Sequence, residues 1–272
     1  MGVTVVVDAT IFRVKVMSNP PQAKKIIGLD EVGWGAIAGP MVICATYVPP
    51  EHWQTLRTWG FRDSKQLGKR LRINQSKRIR ISDHLGVALA QRLEHSEEKL
   101  ASWCIVPVDP ITIDLVSPAA AKNKAYRRAV MTLMAANGWG MDEILVMVDG
   151  KFPAKLLPKE IEQDTVPRAD AMILPVSVAS IMAKSYRDPY MRKLDSLYPA
   201  FGFASNKGYP TKDHMDVILS NGPIKGVHRV HYLRKWLLRH YEREAPTAYS
   251  KSIRTLPRWL HESGFLSDGY GA

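Results

Sequence analysis

Four carboxylates of this 272-residue chain stand where apolar segments end, a placement that could hold a metal ion. Asp30 and Glu31 close the apolar run IIGL and lead into the glycine-rich turn VGWG, and Asp149 closes VMV ahead of a glycine. The fourth carboxylate, Asp170, lies in RADAMIL. Carboxylates beside buried strands are costly unless a cation neutralises them. Hard oxygen donors with no His-rich or Cys-rich cluster nearby favour Mg²⁺ or Mn²⁺ over Zn²⁺.

Each carboxylate taken alone also has a plainer interpretation. An acidic pair at a strand end is often a solvated turn, Asp149 with Gly150 is a turn-forming dipeptide, and Asp170 is suited to starting a loop or capping a helix. Asp149 has the strongest placement, because α/β folds usually carry their chemistry at the carboxyl ends of buried strands. Adjacent strand residues face opposite ways, so Asp30 and Glu31 both reach one metal site only at a strand end or a bulge.

The composition favours a polyanionic partner. The formal net charge is +12 and the sequence pI is about 9.7, so nucleic acid or an anionic membrane surface is favoured, with a merely soluble basic protein as the alternative. No apolar run approaches the roughly 18 residues of a membrane span, and no charged-then-apolar signal pattern opens the chain. Cys44 and Cys104 lie in apolar stretches and are expected to be buried thiols, which indicates a reducing, cytoplasmic setting.

The hydrophobic periodicity divides the chain into three parts. Residues 1–23 predict an N-terminal extension that contains a β-hairpin, 24–223 an α/β domain with a mixed sheet, and 224–272 a basic helical C-terminal extension. In the central part the pattern predicts strands at 26–29, 41–48, 102–108 and 143–148, and helices at 82–92, 118–136, 176–198 and 213–221. The tight turn between the first two strands makes them antiparallel neighbours.

Taken together, six segments resemble the ribonuclease HII family from about Ile26 to Trp236, and they occur in the family's order. The matching segments are IIGLDEVGWGAIAGPMVICATYV, RDSKQLGKRLR, VDG, ADAMILPVSVASIMAKSYRD, NKGYPTKDH and GVHRVHY. One such match is weak evidence, whereas six in order are specific.

The resemblance implies an RNase H-like fold, a mixed sheet flanked by helices with a small helical C-terminal extension. It also implies a monomer that cleaves the RNA strand of RNA–DNA hybrids, or DNA containing ribonucleotides. Carried over by position, the catalytic and metal-binding residues are Asp30, Glu31, Asp149 and Asp170, with Asp30 expected to bridge two ions. Two Mg²⁺ or Mn²⁺ ions about 4 Å apart would activate a water and stabilise the leaving 3′-oxygen, giving 3′-hydroxyl and 5′-phosphate ends.

Substrate contacts follow from the same motifs. In the family, the tripeptide at Gly33, Trp34 and Gly35 presents backbone groups to the ribose 2′-hydroxyl, and a Tyr at the position of Tyr209 packs against a sugar. Candidates for backbone or phosphate contacts are Ser64, Lys65, Lys184 and Arg187. For the three basic residues among them, exposed solubilising charges are the alternative.

Trp34 is the main departure from the family's pattern, which has Arg between the two glycines. Trp lacks the guanidinium fork that binds a phosphate through two hydrogen bonds. Its ring either stacks on a nucleotide or reflects a local packing change. We expect cleavage of hybrids to persist and incision at a single embedded ribonucleotide to be weakened.

Two other functions remain open from the sequence. Ribonuclease HIII also varies this middle residue, but it usually has Glu as its fourth carboxylate and an N-terminal nucleic-acid-binding domain. Asp170 and the short segment before Ile26 favour HII. A nucleic-acid-binding protein on the same fold without turnover is the alternative from another class, and the presence of all four carboxylates argues against it.

Overall fold

The computed structural model describes residues 3–7, 10–14, 24–61, 87–234 and 237. Its strands are β1 (Val3–Val7), β2 (Thr10–Val14), β3 (Lys25–Val32), β4 (Met41–Tyr47), β5 (Ser102–Val108), β6 (Ile144–Asp149) and β7 (Glu162–Val166). The helices are α1 (Trp53–Trp59), α2 (Pro110–Val116), α3 (Pro118–Asn137), α4 (Leu174–Leu197), α5 (Phe203–Asn206) and α6 (Lys212–Asn221). Residues 87–94 and 230–234 are also helical. Residues 82–86 of the helix predicted for 82–92, and most of the C-terminal extension predicted for 224–272, lie outside the described residues.

The main sheet has five strands in the order β5-β4-β3-β6-β7, and β1 pairs with β2 in a separate antiparallel hairpin. β3 pairs antiparallel with β4 and parallel with β6, and β6 pairs parallel with β7. The sheet is therefore mixed, as the sequence predicts. β3 lies at its centre, so the segment carrying Asp30 and Glu31 is held on both sides.

Two long helices cover opposite faces of the sheet. The N-cap of α3 is Ser117, whose hydroxyl accepts a hydrogen bond from the amide of Ala120, and its C-cap is Gly138 in a left-handed conformation. One core cluster joins α3 to Ile27 and Leu29 of β3. A second cluster lies on the other face, where the first turns of α4 pack against Val42 and Cys44. Side chains that alternate along a strand enter these two layers in turn.

α4 begins very close to the sheet, and Gly28 makes that approach possible. A Cβ at Gly28 would fall inside contact distance of the backbone of Pro175 and Val176, the second and third residues of α4. The hydroxyl of Thr46 on β4 donates a hydrogen bond to the carbonyl of Pro175. The first turn of α4 is therefore fixed against β3 and β4, and this positions the turn before it, which carries Asp170.

We predict that Gly28→Ala destabilises the protein by at least about 1–3 kcal/mol, because the added methyl group must push α4 away from the sheet. Gly35→Ala is the matched control: no heavy atom lies within 4 Å of a Cβ at that position. The control should change the free energy of unfolding by less than about 0.5 kcal/mol. Chemical denaturation followed by circular dichroism measures both, and equal stabilities of the two variants would contradict the prediction.

Candidate active site

Asp30 and Glu31 lie on opposite faces of the sheet. β3 continues in regular pairing through both residues to Val32, where the sequence predicts that the strand ends at the acidic pair. The pairing of β3 with β6 stops earlier, at Leu29, so the carboxylates lie just past the end of that ladder. Alternation puts Glu31 on the α3 face with Leu29, and Asp30 on the α4 face, where Ser180 hydrogen bonds to its carboxylate.

The protein interior opposes a negative charge on this pair. Asp30 is only 5% exposed, and burial together with the charges of Glu31 and Asp149 raises its pKa from 3.8 to about 7, although the hydrogen bond from Ser180 acts the other way. Burial also raises the pKa of Glu31, against the effect of the Lys122 ammonium and of the Tyr126 hydroxyl. These shifts mean that the site favours additional positive charge.

Asp149 and Asp170 are brought together by a backbone hydrogen bond. Asp149 is the last residue of β6, and its Oδ1 accepts a hydrogen bond of 2.7 Å from the amide of Ala169. Ala169 opens the short 3-10 turn Ala169–Ala171, so the next residue in the chain is Asp170, which is 5% exposed. Ser177 of α4 donates a hydrogen bond of 2.6 Å to the carbonyl of Asp170. The third and fourth carboxylates thus come from adjoining segments.

The chemistry of these donors fits a hard divalent cation, because carboxylate oxygens are the ligands that Mg²⁺ and Mn²⁺ prefer. Within the residues that the structure describes, no three His, Cys, Asp or Glu side chains are grouped closely enough to hold a metal ion. Glu31 accounts for part of this spacing, since its carboxylate is bound on the α3 face by Lys122 and Tyr126.

Two buried arginines shape the turn that contains Gly33, Trp34 and Gly35. Arg187 of α4 donates from its three guanidinium nitrogens to the carbonyls of Pro40, Lys207 and Ala38. Arg229 donates to the carbonyls of Gly39, Gly33 and Trp34. Gly33 has a φ of +82°, and a Cβ there would strike the Arg187 side chain. The carbonyls of the turn are therefore bound by buried side chains, while Trp34 is 36% exposed.

Comparison with known proteins identifies the family. A family model for Ribonuclease HII matches residues 27–235. The chain belongs to the ribonuclease HII family. A ribonuclease HII from Nitrosomonas europaea is 33% identical over 206 residues, which cover 76% of this chain and 81% of that relative. Membership makes the chain a ribonuclease H, which is a hydrolase.

Solved structures share the fold. The ribonuclease H2 of Pyrococcus horikoshii OT3 superposes with a TM-score of 0.58 at 24% identity, covering 79% of this chain and 98% of that one. Bst-RNase HIII in complex with Mn²⁺ superposes with a TM-score of 0.56 at 18% identity, covering 80% of this chain and 70% of its own. The predicted RNase H-like architecture is therefore confirmed. No helix within the described ranges has the length and apolar character needed to cross a membrane.

The predicted substrate contacts of this ribonuclease HII differ in their solvent exposure and in what they bind. Tyr209 is 39% exposed and lies beside Arg187, with 5.8 Å from the guanidinium carbon to the ring centroid. Arg187 itself is 1% exposed and donates to the carbonyls of Pro40, Lys207 and Ala38, so its guanidinium binds backbone in this structure, and a phosphate contact by this residue stays a prediction. Lys184 is half-buried on α4 and stays a predicted contact. Ser64 and Lys65 lie outside the described residues.

Sequence reasoning missed Lys122, Tyr126 and the role of Arg229. Lys122 and Tyr126 are four residues apart on the predicted helix 118–136, a spacing that puts them on one face. Nothing in the sequence connects that face to Glu31, which lies 91 and 95 positions away along the chain. Arg229 belongs to the GVHRVHY segment, but only its contacts with the carbonyls of the turn show what it does.

His214 and His228 form a buried pair apart from the carboxylates, packed among Phe201 and Phe203. Their Nε2 atoms are 3.1 Å apart. His214 Nδ1 lies 2.9 Å from the Tyr209 carbonyl, to which it must donate, so its Nε2 accepts the proton of His228 Nε2. Burial lowers the pKa of His214, and burial together with the nearby His214 lowers the pKa of His228 to about 3. Both rings are therefore neutral packing residues and not metal ligands.

We predict that this pair makes the protein less stable as the pH falls. Because the folded-state pKa of His228 is depressed below its ordinary 6.5, the unfolded state binds more protons below pH 6.5. When the pH falls from 7.5 to 5, the free energy of unfolding should decrease by about 2 kcal/mol because of His228 alone. His228→Asn, which keeps an acceptor for the Ile224 amide, should reduce this pH dependence, and the exposed His95→Asn should leave it unchanged. Urea denaturation at a series of pH values measures the slope, and equal slopes in all three proteins would contradict the prediction.

Proposed function

We propose that this ribonuclease HII cleaves the RNA strand of RNA–DNA hybrids by metal-dependent phosphodiester hydrolysis, leaving 3′-hydroxyl and 5′-phosphate ends. The observation that carries the proposal is the set of acidic residues at the ends of β3 and β6 and in the turn before α4. Burial, with the charges of neighbouring carboxylates, disfavours the ionised forms of Asp30 and Glu31, so the site favours a cation. The surrounding chain has a net charge of +12, which attracts a polyanion.

The residues that would hold the metal are Asp30, Glu31, Asp149 and Asp170. Two divalent ions, Mg²⁺ or Mn²⁺, supply a nucleophilic water and stabilise the departing 3′-oxygen when bound. The chain's own contribution is positional. The central strand fixes Asp30 and the hydrogen bond from Ala169 orients Asp149, so both carboxylates keep one orientation before substrate arrives. The Mn²⁺ complex of the structurally similar Bst-RNase HIII supports this choice of cation.

Recognition of the RNA strand is assigned to the turn at residues 33–35. Its carbonyls at Gly33 and Trp34 accept hydrogen bonds from Arg229, and the space above Gly35 is open. A rigid backbone with an open approach is suited to reading a 2′-hydroxyl, which distinguishes RNA from DNA. Tyr209, half-exposed beside Arg187, is suited to packing against a sugar at the same surface.

We predict cleavage of a labelled RNA–DNA hybrid in the presence of Mg²⁺ or Mn²⁺ and none in EDTA. Asp149→Asn removes a negative oxygen donor and should lower the rate by at least about 100-fold. The control is Asp142→Asn, which makes the same change at an exposed position before β6 and should keep the wild-type rate. Metal-independent cleavage, or equal rates for the two variants, would overturn the mechanism. Binding of the hybrid without any cleavage would favour a non-catalytic role.

A second prediction concerns Trp34. Incision of a DNA duplex carrying one ribonucleotide should be slower than cleavage of a long hybrid, since a single site offers fewer alternative contacts to replace the missing guanidinium. Trp34→Arg should raise incision at the single ribonucleotide relative to the hybrid by roughly tenfold, the effect of one charge-assisted contact. The hydrogen bonds of Arg229 and Tyr232 go to the backbone carbonyl of Trp34 and do not depend on its side chain.

Trp34→Phe, which keeps an aromatic ring without adding charge, is the control. The readout is the ratio of the single-turnover rates on the two substrates. If the wild-type protein incises the single ribonucleotide as fast as it cleaves the long hybrid, the proposal that Trp34 weakens this incision is wrong.

A further inference from the structure

The ammonium of Lys122 lies between Glu31 and the exposed Trp34. Its Nζ atom is 3.4 Å from Oε1 of Glu31, 4.5 Å from the centroid of the Trp34 ring and 5.3 Å from that of Tyr126. The side chains of Lys122 and Glu31 are 19% and 15% exposed. This ion pair is therefore shielded from solvent on most sides, and aromatic faces on two sides further favour a cation at this point.

Tyr126 binds the other oxygen of the same carboxylate. It is 1% exposed, and its hydroxyl donates a hydrogen bond to Oε2 of Glu31. Lys122 and Tyr126 are separated by one helical turn of α3, so both oxygens of Glu31 are bound by one face of one helix. Asp30, the neighbouring carboxylate, is oriented toward α4 instead, where Ser180 hydrogen bonds to it. The two acidic side chains of β3 are thus held apart by groups on opposite sides of the sheet.

We propose that Lys122 is a positioning residue that holds Glu31 on the α3 face until nucleic acid draws its ammonium away. The inference deepens the proposed function and rests on it, because it concerns the same carboxylates. In this arrangement the lysine supplies the positive charge that a metal would otherwise bring to Glu31. A divalent cation must therefore compete with an ammonium already in place.

Trp34 connects this competition to the substrate. The ring faces Lys122 and is exposed on the turn proposed to read the RNA strand, so a nucleotide packing on Trp34 brings phosphate within reach of the lysine. The flexible four-carbon stem of a lysine lets its ammonium exchange a carboxylate for a phosphate. Glu31 is then released toward the metal. Substrate and metal binding become coupled, and by linkage each strengthens the other.

The test measures Mn²⁺ binding to the protein without nucleic acid, by calorimetry. Lys122→Met keeps the length of the side chain and removes the charge, so it should tighten Mn²⁺ binding by roughly fivefold, the low end of typical coupling between sites. Lys122→Arg keeps the charge and should bind Mn²⁺ as the wild type does. Lys124→Met removes the same charge from an exposed position two residues along α3 and controls for the general change in net charge.

Wild-type affinity in Lys122→Met, or equal tightening in Lys124→Met, would overturn the proposal. If Lys122→Met does not fold, Trp34→Leu provides the second route: loss of the aromatic face should tighten Mn²⁺ binding in the same direction by a smaller factor, and an unchanged affinity would refute the role of Trp34.

A kinetic arm separates this proposal from the proposed function. With saturating hybrid, the Mn²⁺ concentration for half-maximal cleavage should differ little between the wild type and Lys122→Met, because the substrate has already displaced the ammonium. An undiminished fivefold difference there would refute the displacement step. Absence of hybrid cleavage by the wild type would refute the proposed function, and the calorimetric comparison would still decide whether Lys122 competes with a cation.

Discussion

The constraint on which this structure depends is negative charge gathered at the ends of two buried strands. Asp30 and Glu31 lie past the end of the pairing of β3 with β6, and Asp149 closes β6 itself. Burial, and then the charges of Glu31 and Asp149, make ionisation of Asp30 unfavourable, which is why its pKa rises to about 7. Buried carboxylates with raised pKa values cluster at functional sites, and the function proposed for these is the binding of cations.

Many of the contacts around these carboxylates fix the backbone of neighbouring segments and not their side chains. Gly28 lets α4 approach the sheet, and the backbone before α4 is then tied to Asp149 through the amide of Ala169. On the adjoining surface, Arg187 and Arg229 are buried and directed at the carbonyls of the turn. Two cations that would suit phosphate binding are thereby used internally. The surface proposed to recognise the RNA strand is consequently made of the exposed Trp34 and Tyr209 and of open backbone at Gly35.

The placement of Trp34 connects recognition with chemistry. Its carbonyl is held by Arg229 and Tyr232, while its ring lies over Lys122, which in turn contacts Glu31. Trp34, which stands where the family has a phosphate-binding Arg, is thus connected to Glu31 through Lys122. The physical reason is geometric: the turn follows β3 directly and α3 contacts Glu31 near the end of β3, so the Trp34 ring lies next to Lys122 of α3.

The sequence alone determined the fold class and predicted the four carboxylates as site residues, because strand ends, glycine turns and the order of motifs can be recognised from the residues along the chain. It also predicted the long helix at 118–136, which the structure extends only to Asn137. It could not determine which side chains oppose each other. Strand alternation separates Asp30 from Glu31, and contacts spanning 91 to 196 positions bring Lys122 to Glu31 and Arg229 to Gly33. The surroundings of Arg187 were beyond the sequence for the same reason: only tertiary packing decides whether a cation faces solvent or the carbonyls of neighbouring segments.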